Sequence, residues 1–334
     1  MKSPRAIDLG PLSLSVTPKW LRHIDKFSIQ FAYGQREILL DYAGINRLNI
    51  LTGILQHGVS QTGLTAEWPF TQINRAPRLN LFHRAPVWVY SENTKRHLKS
   101  NGIRNVEAIG APWIYLPHSE LANRITSGNS SHPSYLVFPA HFNQDNRVDF
   151  TLEEVRRKIL FWRSISGGNA LTICLYWTEY LSPVWQQVCQ EEGIKLVTAG
   201  LGFTTPAWSP HLFRVEFLHN LSKILQSNTH CIFEKESSGL YYAISLGLSV
   251  AYFPETRSFE ETDESECHEI LINRFPEILN DFVDAEVLKE RSDICLGQES
   301  FRTPTELKSI LQYEQAPISV TSPKRVPYVG RNLN

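Results

Sequence analysis

The sequence predicts an α/β fold of two domains built on parallel sheets with helices on both faces. Three observations predict it. Short apolar runs rich in strand formers alternate with helical patterns across residues 170–253, which argues for a parallel sheet with helices on both faces. The chain has 334 residues, too many for one ordinary core and suited to two domains of about 150 residues each. Between the halves lies "SELANRITSGNSSHP" (119–133), the longest stretch rich in Ser, Asn and Gly, which reads as a linker.

In the first half, "RLNILTGIL" (47–55) reads as a strand running into the polar turn "QHG". "VWVYS" (87–91) is a strand, "ENTKRHLKSNG" (92–102) a short polar helix stopping at Gly102, and "NVEAIG" (105–110) a strand followed by "APWIYLP". "SYLVFPAHF" (134–142) opens the second domain as its first strand, and "ALTICLYW" (170–177) is the next. "SPVWQQVCQEEG" (182–193) has a Ser cap candidate, Pro at the first helical position and a Gly stop, so it reads as a helix although its late acids oppose the helix dipole. "IKLVTAG" (194–200) is a strand. Leu212, Val215, Leu218, Leu221, Ile224 and Leu225 recur at spacings of three and four and predict an amphipathic helix over 211–228. Strand "HCIF" (230–233), helix "GLYYAISLG" (239–247) and strand "LSVAYF" (248–253) complete the alternation. The expected division is 1–130, 131–300 and a remainder, 301–334, of one short helix and a Pro-rich tail that either packs back or is partly disordered.

Apolar residues are 42% and charged residues 20%, a globular composition. A formal net charge of -1 supplies no field to hold a polyanion, so nucleic acid is not an expected partner. No apolar stretch reaches the length of a membrane span, and "MKSPRAIDLGPLSLSV" lacks the apolar core of a signal peptide. The five cysteines, Cys174, Cys189, Cys231, Cys267 and Cys295, are odd in number and lack CxxC spacing; they read as reduced core residues of a cytoplasmic protein.

The chemistry concentrates in "ESSG" (236–239), between a strand and a helix. A helix start at the carboxyl end of a parallel strand offers free amides and the positive end of the dipole to a phosphate. Ser237, Ser238 and Gly239 would let a phosphate reach the backbone. The other reading is a plain serine N-cap with no ligand. Glu234 or Glu236 could accept from a ribose or sugar hydroxyl, or be solvated loop acids. His141, beyond strand 135–139, and His57, beyond strand 47–55, stand at equivalent junctions of the two halves; a lone His is more often structural, but the pair points to the cleft.

These residues resemble the GT-B fold glycosyltransferases, which have two Rossmann-like domains with a nucleotide-sugar cleft between them. "FRVEFLHNLSKILQSNTHCIFEKESSGLYYAISLGLSVAYF" is similar to their donor-site passage, and "LQHGVS", "VYSENTKRHLKSNGIRNVEAIGAPWIYL" and "LVFPAHF" resemble bacterial surface-polysaccharide enzymes, including capsule and CDP-glycerol glycerophosphotransferase-like ones. Two departures stand out. Ser249 replaces a common Pro, and Tyr242 stands where many retaining enzymes carry Glu, which favours inversion. The resemblance implies a cytoplasmic enzyme of polysaccharide biosynthesis, possessing no metal or other cofactor, that moves a sugar from a nucleotide-activated donor to a glycan or lipid-linked acceptor, with peripheral association at the inner membrane face. The donor would meet residues 237–239, with His141, Glu179 and Glu234 nearby and Arg214 or Lys235 as counter-charge. His57 would be the base, with Glu67, Glu92 and Glu179 in reserve, and Trp68, Trp113, Tyr115, Trp177 and Tyr180 available to stack on a sugar or base. The alternatives are a CDP-glycerol or ribitol phosphotransferase and a non-catalytic sugar-nucleotide-binding subunit.

Overall fold

The computed structural model describes residues 33–46, 54–56, 58–59, 86–100, 103, 105–117, 132–140, 150–200, 217–254, 268–269 and 271–312. Two parallel sheets organise it. Strands β1 (Ile54–Leu55), β2 (Val87–Val89) and β3 (Val106–Ala108) form a sheet in the order β1-β2-β3. Strands β4 (Ser134–Phe138), β5 (Ala170–Cys174), β6 (Lys195–Val197), β7 (His230–Phe233) and β8 (Ser249–Tyr252) form the other, in the order β6-β5-β4-β7-β8. All pairings between these strands are parallel. The second sheet therefore grows one way from β4 and then reverses at β7, the doubly wound arrangement in which ligands settle beyond the carboxyl ends at the reversal. The expected α/β class is observed.

Helices bounded within the described residues include α1 (Gln35–Tyr42), α2 (Glu92–Ser100), α3 (Leu152–Ile165), α4 (Trp177–Tyr180), α5 (Pro183–Glu191), α6 (Phe217–Gln226), α7 (Ser238–Ser245), α8 (Ala285–Leu296) and α9 (Pro304–Gln312). The apolar run at 170–177 is shorter as a strand than its composition predicts: β5 ends at Cys174 and Trp177 already opens α4. Helix α3 was not among the expected elements. It starts with a capping box, the Thr151 hydroxyl accepting from the Glu154 amide while the Glu154 carboxylate accepts from the Thr151 amide. The predicted linker at 119–131, the strand portion 47–53, the helix portion 211–216 and the tail 313–334 lie outside the described residues. Cys174, Cys189, Cys231 and Cys295 are free and buried, and Cys267 lies outside the described residues. No helix among the described residues is long and apolar enough to cross a membrane.

Helix α7 sits at the centre. Its residues 239–244 are all buried, so it lacks the polar face of a surface helix and requires cover on every side. β7 and β8 pack on it, and α8 covers it from another side. The first half supplies the rest: the Trp113 ring stacks on Tyr242 at 4.2 Å and 12°, and its Nε1 donates to Ser245 Oγ at 2.9 Å. One apolar cluster accordingly contains residues of both halves, from Ile38 to Leu311.

The chain then returns to the first sheet. The Ala111 amide bonds the Leu296 carbonyl at 2.8 Å, Arg302 donates to the Ala108 carbonyl at 2.9 Å, and α9 packs on α1 through buried Leu307 and Leu311. Gly297 makes this possible. It adopts φ +69°, and a Cβ there would lie 1.8 Å from the Tyr90 carbonyl oxygen. Gly44 shares the left-handed conformation, φ +63°, with nothing within 4 Å. Gly44→Ala should thus lose only the conformational term, about 1 kcal/mol. Gly297→Ala adds a steric clash with backbone and should lose at least about 3 kcal/mol. Guanidinium unfolding of the two variants checks this; equal losses would mean that the return strap does not bear on Tyr90.

Candidate active site at the junction of the two sheets

The loop after β7 begins with a tie across the sheet reversal. The Glu234 amide bonds the Phe138 carbonyl at 3.1 Å, extending the β4–β7 ladder one residue past the strands. Its carboxylate, 4% exposed, accepts from the Ala140 amide at 3.1 Å, Lys158 Nζ at 2.8 Å and Trp162 Nε1 at 3.1 Å. Lys158 and Trp162 stand one turn apart on α3, so one helix face supplies two donors. Glu234 is thus not a solvated loop acid: both of its oxygens are engaged by protein donors, which hold residues 138–140 against β7. Glu236 is also buried, and its charge acts on Tyr241 and Arg274, whose guanidinium donates to the Tyr241 hydroxyl at 2.9 Å.

The helix start itself is different. Ser237 is the N-cap in extended backbone, φ −155° and ψ 157°, yet its hydroxyl makes no capping bond. The bond that defines a serine cap is therefore missing. The amides of Ser238 and Gly239 meet no acceptor among the described residues, and the Leu240 amide closes on the Ser237 carbonyl at 3.1 Å. A Cβ on Gly239 would meet Ser237 Oγ at 3.4 Å and Phe233 Cε1 at 3.5 Å, ordinary contacts, so packing does not demand a glycine there. The Ser238 hydroxyl is occupied: it accepts from the Val59 amide at 3.1 Å.

That last bond brings the first half to the site. Val59 lies in the turn after β1, so the carboxyl end of β1 meets the helix start that follows the carboxyl end of β7. Gln56 holds the turn, its Oε1 accepting from the Tyr90 amide at 2.9 Å and its Nε2 donating to the Gly58 carbonyl at 2.8 Å. Phenols gather behind it. Burial pushes Tyr33, Tyr90 and Tyr242 well above the ordinary tyrosine range; Tyr176 and Tyr242 reinforce the rise at Tyr33, and the Ser238 hydroxyl pulls Tyr242 partway back. Tyr90 OH donates to Gln35 Oε1 at 3.4 Å. All three phenols stay protonated at neutral pH and are hydrogen-bond donors.

Of the residues singled out by sequence, Ser237, Ser238 and Gly239 lie at this junction, and Glu234 lies beneath it. Glu179 is half-buried in α4, beyond the carboxyl end of β5. His57, His141 and Arg214 lie outside the described residues, as do Glu67 and Trp68, although Gln56, Gly58 and Ala140 flank the two histidines. Trp113 and Tyr115 are buried packing residues, the Tyr115 hydroxyl donating to the Ile109 carbonyl and accepting from the Arg302 amide. Tyr180 packs beside the second core, and the side chain of Trp177 is outside the described residues. Glu92 pairs with Lys95 at 3.1 Å in an ion cluster with Glu107 and Arg302. Gln56, Tyr33, Tyr90 and Lys158 were missed. The signal for Lys158 and Trp162 was the capping sequence "TLEE" (151–154); nothing local marks Gln56 as buried. A shallow depression of about 510 Å³ along α8, lined by Glu286, Lys289, Glu290 and Asp293, touches none of these residues.

No protein-family model and no curated protein matches the chain. Among solved structures, UDP-GlcNAc 2-epimerase from Neisseria meningitidis bound to UDP-GlcNAc is 13% identical over 79% of this chain and 67% of its own, with a TM-score of 0.34. MnaA of S. aureus in a co-structure with UDP is 15% identical over 88% and 81%, with a TM-score of 0.36. The wall teichoic acid polymerase TagF is 11% identical over 80% of this chain and 64% of its own, with a TM-score of 0.40. The fold class rests on this chain's own sheet topology.

Two outcomes follow from the geometry. Glu234→Ala strands a buried ammonium and two N–H donors and should cost about 3 kcal/mol in chemical unfolding, with Glu234→Gln losing clearly less. A loss under about 0.5 kcal/mol for the Ala variant would contradict the clamp. The phenols give a pH dependence. Their folded-state values lie above the unfolded one, so their contribution is complete below about pH 10 and is lost as pH rises beyond it. Tyrosinate absorbance should therefore appear in two stages, the buried phenols ionising only together with unfolding.

Proposed function

We propose that the chain is an inverting, metal-independent glycosyltransferase that takes a sugar from a nucleotide-activated donor to a glycan or lipid-linked acceptor in surface polysaccharide synthesis. The observation that carries this reading is the junction itself: the turn after β1 touches, through Val59 and Ser238, a helix start whose first amides meet no acceptor among the described residues, beside the reversal of the second sheet. A crevice beyond the carboxyl ends of parallel strands, with a helix N-terminus in it, suits a phosphate-bearing ligand. The division into an acceptor-side domain, 1–130, a donor domain, 131–300, and a returning segment belongs to the same proposal, as do action in the cytoplasm and association with the inner membrane face.

In this reading the donor's phosphates lie at the first turn of α7, against the amides of Ser238 and Gly239 and the hydroxyl of Ser237. His57 takes the proton of the acceptor hydroxyl. The acceptor oxygen forms its bond to the anomeric carbon as the bond from that carbon to the phosphate oxygen breaks, and the electron pair leaves on the nucleotide. Negative charge then grows where the helix amides already point, which lowers the barrier without rearrangement of the site. A histidine with an ordinary value near neutrality suits the base. His141, Glu179 and Arg214 complete the proposed donor side; Glu234 acts beneath it as the clamp.

A thermal-shift panel of UDP, CDP, CMP, GDP and dTDP tests the reading. At least one nucleotide should raise the melting temperature. Gly239→Ala should change intrinsic stability by less than about 1 kcal/mol and remove that shift, because the added methyl stands where the phosphate must approach. His57→Ala should keep the shift and lower sugar transfer at least about 100-fold. No shift with any nucleotide would sink the proposal. A cytidine-only shift with glycerol or ribitol phosphate transfer would replace it by the phosphotransferase, and binding without turnover by the sensor subunit.

A further inference from the structure

We infer that Tyr242 is a positioning residue for this transfer: its phenol holds the Ser238 hydroxyl, and through it the first turn of α7, against the Val59 amide of the other half. The inference rests on the reading of the junction as a nucleotide-sugar site and adds the group that fixes the turn proposed to meet the phosphates. Tyr242 and Ser238 stand one turn apart on α7, so they share one helix face. A helical side chain leans toward the N-terminus of its helix, which carries the Tyr242 phenol back over the first turn. There it meets the Ser238 hydroxyl. The Tyr242 ring is buried and stacks on Trp113 at 4.2 Å and 12°, which fixes its direction. The Ser238 oxygen accepts from the Val59 amide at 3.1 Å. A hydroxyl has one hydrogen to donate and two lone pairs. With Val59 on one lone pair and the phenol as second partner, the Ser238 hydroxyl is committed to protein on both sides. Its backbone amide meets no acceptor among the described residues. The seam bond and the open amide thus belong to one residue. What orients the hydroxyl also orients the amide, and an anion on the amide in turn holds the hydroxyl in the seam, because such coupling is reciprocal. Tyr241 differs in this respect. It is also buried, but it serves the α8 side, its hydroxyl accepting from Arg274 at 2.9 Å and its carbonyl from Ser292 Oγ at 3.2 Å.

Tyr242→Phe tests this in the full chain, because it removes the hydroxyl and keeps the ring on Trp113. The probes are UDP, CDP, CMP, GDP and dTDP, titrated by calorimetry, with hydrogen exchange of the Val59 amide as the second readout. For a nucleotide that binds the wild type, the variant should bind about 3- to 10-fold more weakly, the scale of one neutral hydrogen bond. Val59 exchange should quicken by a similar factor. Saturating nucleotide should slow that exchange in the wild type and leave it unchanged in Ser238→Ala. Tyr241→Phe removes the neighbouring phenol on the α8 side and should keep wild-type affinity and wild-type Val59 exchange. Unchanged affinity or unchanged Val59 exchange in Tyr242→Phe overturns the inference while leaving the site reading intact. An equal loss in Tyr241→Phe does the same, because it marks a general loosening of α7. Absence of binding by all five nucleotides in the wild type overturns both. Should Tyr242→Phe unfold, the wild type decides: Val59 exchange slowed by nucleotide supports the coupling, and exchange indifferent to it overturns the inference.

Discussion

The burial of α7 is the constraint on which the rest depends. A helix that carries Leu240, Tyr241, Tyr242, Ala243 and Ile244 around its circumference is stable only if every face is covered. The second sheet and α8 cannot do this alone, and Trp113 of the first half closes the remaining side by stacking on Tyr242. The relative placement of the two sheets is therefore set by apolar packing rather than by the few polar bonds between them. Because α7 begins at the carboxyl end of β7, the same packing delivers the turn after β1 to its first residues. The junction is a consequence of how the core is filled.

Within that frame the polar groups divide. Most are satisfied by protein: Glu234 by three donors, Gln56 at both ends of its amide, Ser238 by Val59. A buried polar group left alone costs more than its bond contributes, so each commitment stiffens the wall it belongs to. The amides of Ser238 and Gly239 meet no acceptor among the described residues. Helix-start amides are always open in this sense, and what singles these out is their surroundings. Beside them the Ser238 hydroxyl meets the Val59 amide of the other half and the Tyr242 phenol.

The sequence disclosed the alternation of strands and helices because that signal is local. β7, α7 and β8 lie within one or two residues of their expected bounds, since "HCIF", "YYAIS" and "SVAY" carry composition and stop signals on their own. α3 was missed for an opposite reason: Arg156, Arg157, Leu160 and Phe161 are exposed on it, and this mixture blurs the apolar stripe of Val155, Ile159 and Trp162 that buries its inner face. The serine turn was legible as a helix start beyond a strand. The role of Glu234 was not, because its partners Ala140, Lys158 and Trp162 lie 72 to 94 residues away. Gln56 was invisible likewise; a glutamine before "HG" reads as turn polarity until Tyr90 and Gly58 are seen at either end of its amide.

The two serines of "ESSG" have different work, which resolves why one junction carries both. Ser238 is occupied by the Val59 amide and sits beside the Tyr242 phenol, so it belongs to the seam between the halves. Ser237 holds the cap position with its hydroxyl outside any capping bond. Were the turn only a helix start, evolution of the fold would require a single cap, made by the first serine, and any small residue at 239. The geometry inverts this: the cap bond is absent, the second hydroxyl is used across the seam, and Gly239 leaves open a space that its own protein neighbours could tolerate a methyl in. The seam bond explains the second hydroxyl without any ligand, whereas the open cap position and the glycine at 239 are the two features that the proposed phosphate at the first-turn amides is invoked to explain.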